Sequence, residues 1–353
     1  MRVHVVDPAA YTPPYDRALC AALSARADVE VTLVSSAFRH GDVPPVTSGY
    51  ALDERFYTGR GHRAVRHVAD MLAYRRTAAK TADVVHFQWA PVQEIDWALM
   101  PDRPLVITAH DVLPREARPL QRAGQRRIYR RADAIVVHSQ HGRARLIAET
   151  GVPEDKITVI EHGAFTHLAE LDGVAPPELA GAVPGPPAAL FFGLLRPYKG
   201  LDVLYEAWRG LGDIDAQLWV VGSPRMPLPE PPPGVRVVTR FVSDAEAAWC
   251  LREAALVVLP YREIDQSGVL FSALGLGRPL LLSDAGGFPE LGEVVAHVPV
   301  GDAAALAAGL RSLLTDEPAR AVIAAAASKA AATRYSWAAS AASHAALYAR
   351  LAA

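Results

Sequence analysis

The sequence predicts an α/β chain of two tandem units, each a parallel sheet covered by helices. Three observations predict it. Short, continuous Val/Ile/Leu runs alternate with helical patterns along the whole chain, the mark of strands buried on both faces. A stretch without periodicity, 167–188, interrupts that rhythm near the middle. The 353 residues, 51% of them hydrophobic, supply two cores at roughly 150 residues per domain.

The elements follow in order. RVHVVD opens the chain as a strand, a helix covers 15–27, and VEVTLVSS is the second strand. A helix at about 61–81 leads to DVVHFQW and then PLVITAHD. A basic helix near 119–132, the strand AIVVHS, a helix at 140–150 and ITVIEHG complete the first half. Residues 167–188, rich in Pro, Gly and Ala, read as an interdomain linker. The second half restarts with ALFFGLL, a helix at 200–210, AQLWVVGS and VRVVTRFV. A helix at 243–254, LVVLPY, a helix at 268–276, PLLLSD, a helix near 287–294 and AHVPV follow. Three Ala-rich helices, at about 302–314, 317–332 and 336–352, close the chain; the first two read as packing elements. The expected domains are 1–166 joined by 336–353, a linker at 167–188, and 189–335. Each half reads as a Rossmann-like unit, in which ligands bind at the carboxyl ends of the strands.

Composition narrows the function. With 36 basic and 38 acidic residues, bulk charge gives no reason to expect a nucleic-acid partner. Cys20 and Cys250 sit in apolar helical patterns and read as buried thiols. No apolar run approaches the ~20 residues that span a bilayer. The N-terminus reads as a strand rather than a signal peptide. The expected location is cytoplasmic.

Two segments carry the chemistry. In FFGLLRPYK (191–199) an apolar run breaks at Arg196, with Lys199 three residues on and Gly200 opening a helix. In QSGVLFSALGLGRPLLLSDAGGFPE (266–290) a small, Gly-containing turn starts an apolar helix. Free N–H groups and the dipole make a helix start a natural anion site. Two cations and a helix start at strand ends point to a diphosphate-bearing ligand. Gly268 allows close backbone approach, and Glu290 follows Gly286 and Gly287.

These segments resemble the GT-B glycosyltransferases, most closely glycosyltransferase family 4. The similarity is carried by FFGLLRPYKGLDVLYEAW, by VVLPYREIDQSGVLFSALGLGRPLLLSDAGGFPEL and by the closing YSW. ITAHD, VHS and VIEHG are weaker carriers in the first half. The resemblance implies two Rossmann-like domains facing across a cleft, with the C-terminal helix crossing back to the N-terminal domain. It implies a retaining sugar transfer from a nucleotide-diphosphate sugar, with no bound cofactor and no metal.

Site residues then follow residue by residue. The resemblance puts the donor-diphosphate cations at Arg196 and Lys199, where they would stabilise the charge that builds on the leaving group. It gives Gly193, Gln266, Ser267, Gly268, Val269 and Glu290 to the donor. His110, at a strand end, takes the place of a family histidine near the reaction centre. Tyr11, Tyr15 and Asp16 stand where many members have a Gly-rich loop, and with His162 they are candidate acceptor contacts. The chain departs from the family in one place. Many members carry two glutamates separated by seven residues, the second on the ribose; here Ser272 holds the second position and Ile264 the first. Losing one ribose contact costs roughly 1–3 kcal/mol. Glu263 and Asp265 flank the first position.

Residues 115–131 hold seven arginines and one glutamate. They read either as a solvated helix face or as a patch for peripheral contact with an anionic membrane. Two alternatives stand beside transfer. One is a non-catalytic binder that kept the fold, and the other is a GT-B-fold sugar-nucleotide epimerase.

Overall fold

The computed structural model describes residues 1–353 apart from 39–48, 61 and 115–116. The chain divides into two compact units: Met1–Gly163 with Trp337–Ala353, and Ala164–Ser336.

The first unit runs β1 (Arg2–Asp7), α1 (Pro13–Ser24), β2 (Glu30–Ser35), β3 (Ala51–Asp53), α2 (Arg63–Thr81), β4 (Val84–Phe87), α3 (Gln93–Leu99), β5 (Leu105–Thr108), α4 (Gln121–Arg131), β6 (Ala134–Val137), α5 (Gln140–Thr150) and β7 (Ile157–Val159). All seven strands are parallel, in the order β3-β2-β1-β4-β5-β6-β7. β4, β5 and β6 are buried at every residue, because helices cover both faces. α3 and β3 lie beyond the elements expected from the sequence.

The second unit runs β8 (Ala188–Phe192), α6 (Leu201–Arg209), β9 (Gln217–Val221), β10 (Val235–Val238), α7 (Asp244–Glu253), β11 (Leu256–Leu259), α8 (Gly268–Gly275), β12 (Leu280–Ser283), β13 (Ala296–Val298), α9 (Ala303–Thr315) and α10 (Glu317–Ala332). Its six parallel strands take the order β10-β9-β8-β11-β12-β13. The segment near 287–294, expected as an α-helix, is a 3-10 run, Phe288–Val294, kinked at Gly292 (φ 57°, ψ −136°). Residues 167–188 belong to this unit and hold two 3-10 turns. Arg252 donates to the Leu168 and Ala169 carbonyls, and Arg240 pairs with Glu178.

The last helix, α11 (Trp337–Ala352), returns to the first unit. Its Tyr348 hydroxyl lies 2.7 Å from His86 Nδ1 on β4. In each sheet the strand order reverses once, beside β1 and beside β8. That switch point is where ligands enter open α/β sheets. Asp7 ends β1, and Gly193 follows β8 directly.

Candidate functional site

In the second unit the chain leaves β8 through Gly193, whose φ of +99° is a region side chains avoid. A Cβ there would lie 3.0 Å from Lys199 Nζ and 3.1 Å from Val269 Cγ2. The structure therefore brings Gly193, Lys199 and Val269 together. Lys199 ends a 3-10 turn, Pro197–Lys199, and is only 6% exposed. Its ammonium donates to the Phe192 carbonyl (3.4 Å) and sits 5.2 Å from the centre of the Tyr261 ring. Arg196 precedes the turn. It is half-buried and has no ion-pair partner among the described residues.

The β11–α8 loop is clamped onto this turn. The Arg262 N–H donates to the Tyr198 carbonyl (2.7 Å), and its guanidinium donates to the Pro197 carbonyl (3.0 Å) and pairs with Asp202. The loop ends at Ser267, which caps α8 by accepting from the Leu270 N–H (3.3 Å). Gly268 is open: among the described residues only Phe165 would lie within 4 Å of a Cβ there. The Gln266 side-chain amide nitrogen is buried without a partner among the described residues, and an unmet buried donor costs about 1–3 kcal/mol. A ligand oxygen would relieve it. Glu290 lies apart from these residues in sequence, in the Phe288–Val294 run, its carbonyl accepting from Arg334 (3.0 Å). Ile264 is buried, and its carbonyl would lie 2.0 Å from a Cβ on Gly286. That leaves no side-chain carboxylate at Ile264 or Ser272.

In the first unit the strand ends carry a dense aromatic and imidazole cluster. Tyr15 is buried, with ring centres 4.8 Å from His110, 4.8 Å from His162, 5.5 Å from His138 and 5.1 Å from Trp337. Four candidates or neighbours of candidates thus meet around one phenol. His110 Nε2 donates to the Gln88 amide oxygen (3.1 Å). His138 Nδ1 donates to the Ile160 carbonyl (2.8 Å), and His162 Nδ1 to the Gly163 carbonyl (2.6 Å). Burial holds His86, His110 and His162 well below the ordinary imidazole range, and brings His138 and His344 down to about 4. Among the described residues no group of three or more histidine, cysteine or acidic side chains is arranged to hold a metal ion.

Asp16 turns inward. It is hydrogen-bonded to Asp7, and burial followed by the Asp7 charge pushes it well above the carboxylate range. Asp7 accepts from the N–H groups of Tyr11 (2.6 Å) and Thr12 (3.0 Å), which fixes the β1–α1 loop. Asp16, in the first turn of α1, thus packs against the carboxyl that holds this loop. Tyr11 is exposed and meets Trp89 edge-on at 5.6 Å.

Sequence reasoning missed Trp89 and Gln125. Trp89 stacks on His110 (5.1 Å, 15°), and its N–H donates to the Thr12 hydroxyl (2.9 Å). With His110, Asp111 and Gln125 it lines a hollow of about 300 Å³. A polar–aromatic pair, Gln88–Trp89, directly after a buried strand was the available signal.

The chain is similar to known proteins. Residues 17–167 match the family described as Glycosyltransferase Family 4, and residues 186–316 match Glycosyl transferases group 1. The GDP-mannose:glycolipid 4-beta-D-mannosyltransferase of Xanthomonas campestris pv. campestris is 33% identical over 190 residues, 50% of this chain and 49% of that protein. The match thus spans about half the length of that relative. The D-inositol 3-phosphate glycosyltransferase of Corynebacterium glutamicum is 28% identical over 319 residues, 79% of this chain and 74% of that protein. Among solved structures, sucrose-phosphate synthase from Thermosynechococcus elongatus superposes with a TM-score of 0.74 at 18% identity, over 99% of each chain. Anabaena HepE in complex with UDP and glucose gives 0.73 at 18% identity, again over 99% of each chain.

Proposed function

We propose that this chain, which belongs to the family 4, group 1 glycosyltransferases of GT-B fold, moves a sugar from a nucleoside-diphosphate sugar to an acceptor hydroxyl with retention. The carrying observation is the β8 turn. Arg196 is a half-buried cation without an ion-pair partner among the described residues, Lys199 is packed against Gly193, and Gln266 presents an unmet amide donor. Such a set suits a diphosphate. Cations fixed before reaction stabilise the leaving group more as its charge grows than in the ground state. Gly193 leaves room for the phosphate oxygens, and the Gly268 end of α8 adds N–H groups. The acceptor is assigned to the first unit, with Tyr11, Tyr15, His110 and His162 among its neighbours. Asp16 shapes the acceptor side through the loop it braces.

The mannosyl and inositol-type transfers named for the two relatives guide the choice of substrates. Purified protein is expected to release nucleoside diphosphate from GDP-mannose or UDP-glucose, faster when a glycoside or polyol acceptor is added. Neither release nor a donor-induced rise in melting temperature would reject the reading in favour of a non-catalytic binder. Turnover of the donor without any acceptor, to an epimeric sugar nucleotide, would favour an epimerase. The anomeric proton of the product reads the stereochemistry, and a configuration opposite to the donor's would overturn retention. The beta transfer in the Xanthomonas relative's name makes that readout necessary.

Peripheral contact with an anionic membrane is assigned to residues 115–131; residues 115 and 116 lie outside the described residues. Part of this charge is already engaged. Arg126 donates to the Glu149 carbonyl, Arg127 lies over the Trp97 ring, and Arg131 pairs with Asp102. Arg122 and Arg130 remain exposed on α4. No helix is long and apolar enough to cross a membrane among the described residues, so the contact is electrostatic, at about 1 kcal/mol per basic residue near the surface. Co-sedimentation with phosphatidylglycerol vesicles is expected at low salt and lost above ~0.3 M salt, where screening is strong. Binding to neutral vesicles, or to neither, would reject it.

A further inference from the structure

We infer that Arg262 is a positioning residue for sugar transfer: it fixes the turn that carries Lys199 and ties it to the loop that carries Gln266. The inference rests on the transferase reading above and adds a residue that acts through Lys199. Two separate stretches of the second unit supply the donor contacts of that reading. Arg196 and Lys199 belong to the turn after β8, and Gln266 and Ser267 end the loop between β11 and α8. A diphosphate held by both needs them in one frame, since a misplacement of about 1 Å can cost a hundredfold in rate.

The two stretches meet at residues 260–262. A Cβ on Gly200 would lie 2.1 Å from the Pro260 carbonyl oxygen, so the two backbones abut there. The Tyr261 ring meets Tyr198 edge-on at 6.0 Å and faces the Lys199 ammonium. Arg262 then binds on both sides of Lys199. Its backbone N–H donates to the Tyr198 carbonyl (2.7 Å), and its Nη1 donates to the Pro197 carbonyl (3.0 Å) and to Asp202 Oδ1 (2.9 Å). Nη2 donates to Asp202 Oδ2 (2.5 Å). The turn also closes on itself, the Lys199 N–H donating to the Arg196 carbonyl (3.0 Å). The carbonyls of Arg196, Pro197 and Tyr198 are all engaged, which leaves the turn little freedom to shift beneath Lys199.

Stability alone is a poor account of this arrangement. The Arg262 and Asp202 side chains are 40% and 60% exposed, and an ion pair on the surface contributes about 0–1 kcal/mol. What the guanidinium supplies is geometry. Its fork grips a carboxylate by two bonds and a carbonyl by a third, where an ammonium, a point charge, holds no such frame.

The test is steady-state release of nucleoside diphosphate by the full chain, with melting temperature as the folding control. Arg262→Ala is expected to lower kcat about tenfold while KM for the sugar nucleotide changes less than about threefold. Arg262→Lys keeps the charge and is expected to recover little. In a Lys199→Ala background, Arg262→Ala is expected to cost less than about threefold, because residues that act as one unit do not add. Asp202→Asn conserves size and is expected to lower kcat about threefold, so it still reports if the Arg262 variants unfold. An unchanged kcat, or a tenfold loss repeated in full in the Lys199→Ala background, overturns the proposal. So does a defect confined to KM, or full recovery by Arg262→Lys, either of which would make Arg262 an ordinary attracting charge. An unsubstituted protein that neither binds nor turns over a sugar nucleotide rejects the transferase reading itself, and the role of Arg262 with it.

Discussion

Replacing Lys199 with alanine is expected to lower kcat/KM for sugar-nucleotide turnover by about a hundredfold or more, and Arg196→Ala by roughly ten- to a hundredfold. The difference comes from preorganisation. Lys199 is 6% exposed, held by the Phe192 carbonyl and the Tyr261 face, and packed against Gly193. Its charge sits where little water screens it, so its attraction for a departing diphosphate exceeds that of a surface lysine. Arg196 is only half-buried and gives up some of its pull to solvent. Lys199→Arg is expected to fail nearly as badly, because a planar guanidinium is bulkier than the ammonium now packed beside Gly193 and Tyr261 and aims its donors differently. Steady-state release of nucleoside diphosphate reads the effect, with melting temperature as the folding control. A loss below about threefold in both alanine variants would remove the β8 turn from the reaction.

Much of this turn was legible in the sequence for a physical reason. A buried strand, a glycine and two cations within nine residues leave few other uses for the charge. The regular helices were equally plain, because their apolar faces recur at helical spacing. What escaped was short, edge-bound or long-range. β3 has three residues, none of them buried, so no alternation can develop. α3 has seven residues, QEIDWAL, too few for a second apolar turn. Its place is set by tertiary packing, since a Cβ on Gly124 of α4 would lie 2.1 Å from the Gln93 carbonyl. The run at 288–294 looked helical by composition, but Gly292 breaks it. Residues 167–188 lack periodicity, and arginine side chains hold them instead: Arg252 of α7 donates to the Leu168 and Ala169 carbonyls, and Arg240 of the loop before it pairs with Glu178. The inward turn of Asp16 depends on Asp7, nine residues earlier on another element, and no local pattern announces contact between the two carboxyls. His86 and Tyr348 meet across 262 residues of sequence. Trp89 read as the tail of a strand and Gln125 as one more polar residue of a basic helix. Their use depends on which hollow they line.

Acid is expected to unfold the first unit well before it would a protein with exposed histidines. Six of its imidazoles, His4, His86, His110, His138, His162 and His344, are held below their ordinary range chiefly by burial. In the folded state they stay neutral, whereas unfolded chains bind protons once pH falls below ~6.5. The unfolded state then holds more protons, so stability rises with pH through this window and falls as pH drops from ~6.5 toward 4. His344 is fully buried on α11 and comes down to about 4, so its share alone approaches ~3 kcal/mol at the acid end. Asp7 and Asp16 work the other way. Their raised values mean the folded state holds extra protons above the unfolded carboxylate range, a cost at neutral pH that acid relieves. Two carboxyls against six imidazoles leave the sign with the histidines. Denaturant midpoints should therefore fall steadily between pH 7 and 5, and His344→Phe should flatten the slope if α11 tolerates the larger ring. His344→Gln, closer in size, keeps the comparison if it does not. A midpoint that stays level over that range would mean that water reaches these rings, and that α11 does not seal them.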